Sequence, residues 1–84
     1  MYYTYVLFSS STGKIYIGFS SNIEARLKSH NDPANRGWTK KYQPWIIVHL
    51  EEFENKSKAM LREKELKTAR GRKFIRENII ANLS

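Results

Sequence analysis

The chain has 84 residues, with 15 Lys+Arg against 8 Asp+Glu, a formal net charge of +7 at pH 7 and a sequence pI near 9.9. This length builds one domain, 1–84, with one modest core, which excludes a separate cofactor domain; 40% hydrophobic and 13% aromatic content excludes a disordered basic tail. Without cysteine there is no disulfide, zinc–thiolate site or thiol nucleophile, and with no long apolar run and no basic leader the expectation is a soluble cytoplasmic domain with no membrane partner.

Tyr2 to Phe8, β-branched and aromatic, reads as a first strand. Ser9 to Gly13 form a small polar turn, and Ile15 to Phe19 a second strand, so the pair is expected to be a β-hairpin. Period-2 alternation puts Tyr16 and Gly18 on one face and Ile15, Ile17 and Phe19 on the other. Hairpin register is not readable from sequence, so whether Tyr5 shares the face of Tyr16 is open.

Ser21-Asn22-Ile23-Glu24 has the form of a capping box, with Ser21 as N-cap and Glu24 three residues on. It predicts a helix to about Asn31, ended by Asp32-Pro33, with Ile23, Leu27 and His30 on one stripe and Arg26 at its edge. Residues 32–44 read as a polar loop carrying Arg36, Lys40 and Lys41. Trp45 to Phe53 reads as a third strand, apolar enough at its start to be central, with Glu51 and Glu52 marking its exit to solvent. A second helix is expected from about Lys56 to Arg70, closed by Gly71, and a short C-terminal helix within Arg72 to Leu83. The order β-β-α-β-α-α predicts an α+β fold, a small three-stranded antiparallel sheet flanked by helices.

The charge is uneven. Residues 1–35 carry three basic and two acidic side chains, whereas residues 36–84 carry twelve and six. Lys67, Arg70, Arg72, Lys73 and Arg76 follow one another with no acid between them. Such a run favours a polyanion through phosphate neutralisation and counterion release. Lys40 and Lys41, and Lys14 in the hairpin, are further candidates for phosphate contact. The bland alternative is a solvated surface.

The possible chemistry is narrow. There is no glycine-rich phosphate loop, and the only aspartate, Asp32, stands beside Pro33. His49 lies within the third strand and reads as structural. Tyrosine, arginine, one helix histidine and glutamate remain, a set that suits phosphodiester hydrolysis. A phenol can orient or deprotonate water, arginine can stabilise developing negative charge, and a carboxylate can hold a hard divalent ion.

Thr4-Tyr5-Val6, Tyr16-Ile17-Gly18 and Arg26 ten residues after Tyr16 resemble the GIY-YIG nuclease family. Thr-Tyr-Val stands in place of the first family motif, a variation of the branch that includes the N-terminal nuclease domain of the incision component of excinuclease ABC. Residues 44–53 and 59–67 resemble the small stand-alone bacterial members. The resemblance implies a three-stranded antiparallel sheet with packed helices and divalent-metal-dependent endonuclease action on DNA, with Mg²⁺ or Mn²⁺, in DNA repair or processing. It implies that Tyr5 or Tyr16 activates water, that Arg26 binds phosphate and that His30 assists. On the second helix Glu63 and Glu65 compete as metal ligand. The helical wheel puts Glu63 between Ala59 and Leu66, near the inward stripe, and the family pattern of Ala then Glu four residues on selects Glu63 independently. Glu65 then pairs with Arg62. Gly18 would admit close approach of backbone or substrate, or serve the strand's twist alone. The family asparagine after this helix has no counterpart at the usual spacing, although Asn78 and Asn82 lie nearby.

Two other readings stand beside this one. One is a non-catalytic nucleic-acid-binding module on the same scaffold, and the other is a protein-interaction domain. In the nuclease reading the basic run grips the backbone of DNA without reading bases. Targeting then falls to a partner protein or a homodimer.

Overall fold

The computed structural model describes residues 1–35 and 37–83; Arg36, placed in the polar loop, lies outside the described residues. The elements are β1 (Tyr2–Ser9), β2 (Ile15–Ser20), α1 (Ile23–His30), β3 (Trp45–Phe53), α2 (Lys56–Lys67) and α3 (Ala69–Asn78). This is the expected α+β order. The sheet is antiparallel throughout, with strand order β2-β1-β3. None of the described helices is long and apolar enough to cross a membrane.

The strand order corrects one expectation. β1, not β3, is the central strand: Thr4, Tyr5, Val6 and Leu7 are all buried, while Ile46 and Leu50 of β3 are exposed. A hydrophobic run identifies a strand, but only pairing on both edges makes it central. β1 has partners on both edges, and helices cover both of its faces, α2 and α3 on the side of Val6 and α1 on the side of Tyr5 and Leu7. The ladder between β1 and β3 shifts between Val6 and Leu7, where Val48 is left without a partner.

Alternation along β1 divides the core in two. Val6 packs with Ile15, Ile17, Leu66 and Ile75 under α2 and α3. Tyr5 and Leu7 pack with Trp45 on the other side, against Ile23 and Leu27 of α1 and against Tyr42. Thr4, on the α2 side, donates its hydroxyl to the carbonyl of Ala59 at 2.8 Å. Ala59 is wholly buried, so its lack of a longer side chain sets the close approach of α2 to the sheet.

Helix starts and stops differ from the expected ones for local reasons. Asn22, not Ser21, is the N-cap of α1, and its side chain accepts from the amide of Ala25 at 3.1 Å. The Ser20 hydroxyl already accepts from the Asn22 amide at 3.0 Å, which fixes Asn22 in the extended conformation an N-cap needs. Glu24 is therefore one residue too early for a capping box, and its charge instead faces the positive end of the helix. α2 ends at Lys67, because Thr68 breaks the helical dihedrals and caps α3, accepting from the amide of Gly71 at 3.1 Å.

Gly71 thus lies inside α3 rather than closing α2. A Cβ there would meet the carbonyl of Glu65 and would come within 2.5 Å of the Leu66 Cα. Its role is the close approach of two helix backbones. The polar loop also holds more structure than expected. Trp38–Tyr42 form a turn of 3₁₀ helix, and a second short one spans Ile80–Asn82. Asn31 accepts from the Trp45 amide at 2.6 Å and donates to the Trp45 carbonyl at 3.0 Å, which ties the end of α1 to the start of β3.

His49 and Glu51 of β3 join α2 by a chain of side-chain hydrogen bonds. His49 Nε2 lies 2.7 Å from Glu51, and Arg62 Nε donates to both Glu51 oxygens at 3.0 and 3.1 Å. Glu51 is therefore not released to solvent as the sequence reading expects, whereas Glu52 is exposed. Burial pushes the Glu51 carboxyl up, but the hydrogen bonds from His49 and Arg62 outweigh it and bring it below the usual carboxylate range.

Candidate active site

The hairpin register answers the question left open by the sequence. Tyr5 pairs with Gly18 and Leu7 with Tyr16, so the two tyrosines share a face. Their rings are stacked with centroids 6.3 Å apart. The ring of Tyr5 passes over Gly18: a Cβ on Gly18 would stand 2.6 Å from the Tyr5 hydroxyl and 3.2 Å from the Tyr16 ring. Glycine at this position is what lets the Tyr5 phenol reach the edge strand.

His30 closes the arrangement from the last turn of α1. Its Nε2 lies 3.4 Å from the Tyr5 hydroxyl, and its ring centroid 4.5 Å from that of Tyr16. Gln43 donates to the carbonyl of His30 at 2.8 Å and so holds this end of α1 in place. Both buried groups are kept neutral. Burial, with Tyr16 and Glu63 adding to it, raises the Tyr5 phenol well above its ordinary value, against the opposing pull of Arg26. Burial, followed by the Arg26 charge, lowers the His30 imidazole. A neutral phenol donates and a neutral imidazole nitrogen accepts, so the pair is matched as Tyr5 O–H to His30 Nε2.

The depressed His30 value has a consequence for stability. On acidification the unfolded chain takes up the histidine proton first, near pH 6.5. Stability is therefore expected to be level above that pH and to fall as the pH drops toward the lower value of the folded state. Urea midpoints measured from pH 8 to pH 5 are expected to drop less in His30→Gln than in the unmodified protein. Equal drops would mean that His30 is not the group responsible.

In front of the tyrosines is an open cleft of about 550 Å³ along the β2 edge of the sheet. Tyr5, Tyr16, Gly18, Arg26 and Glu63 all line it. They come from β1, β2, α1 and α2, and the two helices pack on opposite faces of the sheet. Arg26 is exposed and, among the described residues, has no carboxylate within ion-pair distance, so its guanidinium is available to a ligand.

Glu63 follows the buried Ala59 by one turn, which brings its carboxylate into the cleft. Its side chain is 18% exposed and lies 3.3 Å from the ammonium of Lys67. Glu65 points away and pairs with Arg62 at 3.3 Å, as the helical wheel predicts. Lys56, at the start of α2, is a cleft residue that the sequence reading missed. Its signal is weak, since a lysine at a helix start is ordinarily a solvated surface residue.

Among the described residues no three His, Cys, Asp or Glu side chains gather to hold a metal ion. Among those residues the cleft contains the one carboxylate of Glu63. That donor set fits a hard divalent ion held by one carboxylate, with waters and phosphate oxygens completing its shell.

The basic candidates fall into separate groups. Lys14, Lys67, Arg72 and Arg76 line a second cleft of about 390 Å³, which meets the first at Tyr16. Lys40 and Lys41 lie in the 3₁₀ turn, exposed and outside both clefts. Arg70 faces a different depression together with Phe74, and Lys73 lies 4.0 Å from Glu77. Asn78 and Asn82 spend their side-chain amides on the carbonyls of Phe74 and Asn78 and line neither cleft.

Comparison with known proteins gives one consistent family. Residues 1–77 match the family described as the GIY-YIG catalytic domain. The chain is 37% identical over 67 residues to a UPF0213 protein of Staphylococcus haemolyticus, covering 80% of each chain. It is 36% identical over 66 residues to a UPF0213 protein of Staphylococcus aureus, covering 79% of this chain and 80% of that one. The solution structure of a UPF0213 protein from Bacillus halodurans superposes with a TM-score of 0.52 at 27% identity, over 89% of this chain and 82% of that chain.

Proposed function

The chain belongs to the GIY-YIG family, a family of nucleases, and from that premise we propose that it is a divalent-metal-dependent DNA endonuclease of the cytoplasm, acting in DNA repair or processing. The observation that carries the proposal is the convergence of Tyr5, Tyr16, Arg26 and Glu63 on one cleft from four separate elements.

In this reading Arg26 and Lys56 receive the phosphodiester, the guanidinium binding two phosphate oxygens at once. Their charge counters the negative charge that develops on phosphorus-bound oxygens as water attacks. Tyr5, held neutral by burial, donates a hydrogen bond to His30 and serves to position its neighbour. Tyr16, half-buried at the junction of the two clefts, is the residue that faces the attacking water, orienting it as the phenol or, as the phenolate, taking its proton and becoming the phenol. Glu63 holds the Mg²⁺ or Mn²⁺. The ion, when bound, supplies positive charge to the phosphate and the leaving oxygen.

The test is cleavage of branched, nicked and single-stranded DNA with Mg²⁺, Mn²⁺ or a chelator. Cutting is expected only with a divalent ion, and Arg26→Ala is expected to slow it about a hundredfold. Salt-sensitive binding with no cutting under either ion would replace the nuclease reading with that of a binding module.

A further inference from the structure

The second cleft has a feature that backbone gripping does not require. Trp38 stands at its rim, 52% exposed, in a segment that sequence alone reads as polar loop. It does not hang free. Its ring centroid lies 4.8 Å from Tyr42, 6.0 Å from the buried Trp45 and 6.2 Å from Tyr16. The Trp45 indole N–H is in turn fixed to the carbonyl of Thr39 at 2.8 Å, so the segment bearing Trp38 is braced from beneath. A large indole held by three other rings, yet more than half uncovered, is a preformed platform.

Lys14, Lys67, Arg72 and Arg76 share the cleft with it, and among the described residues no carboxylate lines it. Arg72 and Arg76 are one turn apart on α3; Arg76 donates to the carbonyl of Gly13 at 3.3 Å, which sets it beside Lys14 in the hairpin. Four cations beside an exposed indole match a ligand that alternates anionic groups with flat apolar ones. A nucleic-acid strand whose bases are unpaired has that chemistry, whereas a duplex keeps its bases stacked on one another and offers no free face.

We propose that Trp38 is a base-stacking platform, and that the cleft it shares with Lys14, Arg72 and Arg76 takes the unpaired nucleotides of a DNA strand next to the phosphate at Tyr16. The proposal rests on the nuclease reading for the strand in the first cleft. It adds a substrate class: single-stranded or flapped DNA rather than continuous duplex. Specificity arises by shape, since every base offers a face to stack and the cations read none of them.

The test measures binding without cutting, in the presence of a chelator. An oligothymidylate and a blunt duplex of equal length are titrated against the full chain, followed by tryptophan fluorescence and by anisotropy of a labelled strand. The expected result is quenching by the single strand and at least tenfold tighter binding than to duplex, about the worth of one stacked base. Trp38→Leu keeps apolar volume against Trp45 but has no aromatic face. It is expected to weaken single-strand binding about tenfold, to leave duplex binding unchanged and to lose the quenching. Trp38→Phe is expected to recover part of the affinity, which separates stacking from a packing defect. Equal weakening of single-strand and duplex binding, or no change in either, overturns the inference. Cleavage is scored separately: a protein that stacks single strands but never cuts them retains the platform and loses the nuclease reading. One that cuts, with Trp38→Leu binding and cutting like the unmodified chain, retains the nuclease and loses the platform.

Discussion

Glu63→Gln is expected to lower the rate of divalent-dependent strand cleavage about a thousandfold, ~4 kcal/mol of barrier. Among the described residues this is the one carboxylate lining the cleft, and an amide of the same shape offers a hard cation one neutral oxygen in place of a negative charge. Stability is expected to change by no more than about 0.5 kcal/mol. The bond that is lost is an i,i+4 pair to Lys67, whose side chain is 46% exposed. The seating of α2 depends instead on Ala59, Leu66 and the Thr4 hydroxyl, none of which the substitution alters. With a chelator present, DNA affinity is expected to rise, because a negative charge has left a cleft that receives phosphate. Single-turnover cleavage, equilibrium binding and thermal unfolding on the same preparation check all three. Cleavage near the original rate would mean that the divalent ion is not held by this residue.

How much of this was legible in the sequence depends on the kind of information required. The side of α2 on which Glu63 lies was, because the 3.6-residue period sets it one turn after the small, buried Ala59, on the side that faces the sheet. The order of elements was, because Tyr2 to Phe8, Ile15 to Phe19 and Trp45 to Phe53 carry the alternation and β-branching that strands favour. Register was not. That Tyr5 lies opposite Gly18 follows from the turn bonds of Ser9 with Lys14 and Gly13, a geometry that composition does not encode. Nor was the centrality of β1, since the Trp-Ile-Ile-Val start of β3 is the stronger apolar run and pairing, not hydropathy, decides the middle strand. Trp38 escaped notice because its neighbours are polar. Its significance comes from Trp45 and Tyr16, seven residues ahead and twenty-two behind, which only the fold brings together.

The helix junction shows the same limit and yields the largest expected loss of stability. Gly71→Ala is expected to destabilise the protein by about 3 kcal/mol, lowering Tm by on the order of 15 °C in a domain of this size. Propensity argues the other way, since alanine in a helix interior is worth up to about 1 kcal/mol over glycine. Sterics decide the sign here. The added methyl would collide with the Glu65 carbonyl and with the Cα and carbonyl of Leu66, and backbone atoms cannot rotate aside as a side chain does. Relief requires α3 to move off α2. That motion would open the core, since Leu66 and Ile75 are both wholly or nearly wholly buried in one cluster. It would also carry Arg72 and Arg76 away from Lys14, so single-strand binding should weaken in molecules that remain folded. Thermal unfolding of Gly71→Ala beside Arg70→Ala separates the two effects. Arg70 is an exposed helix residue and its substitution is expected to cost no more than about 0.5 kcal/mol. Comparable melting of the two variants would show that the α2–α3 junction yields freely, and that α3 is not held in register with the groove by this contact.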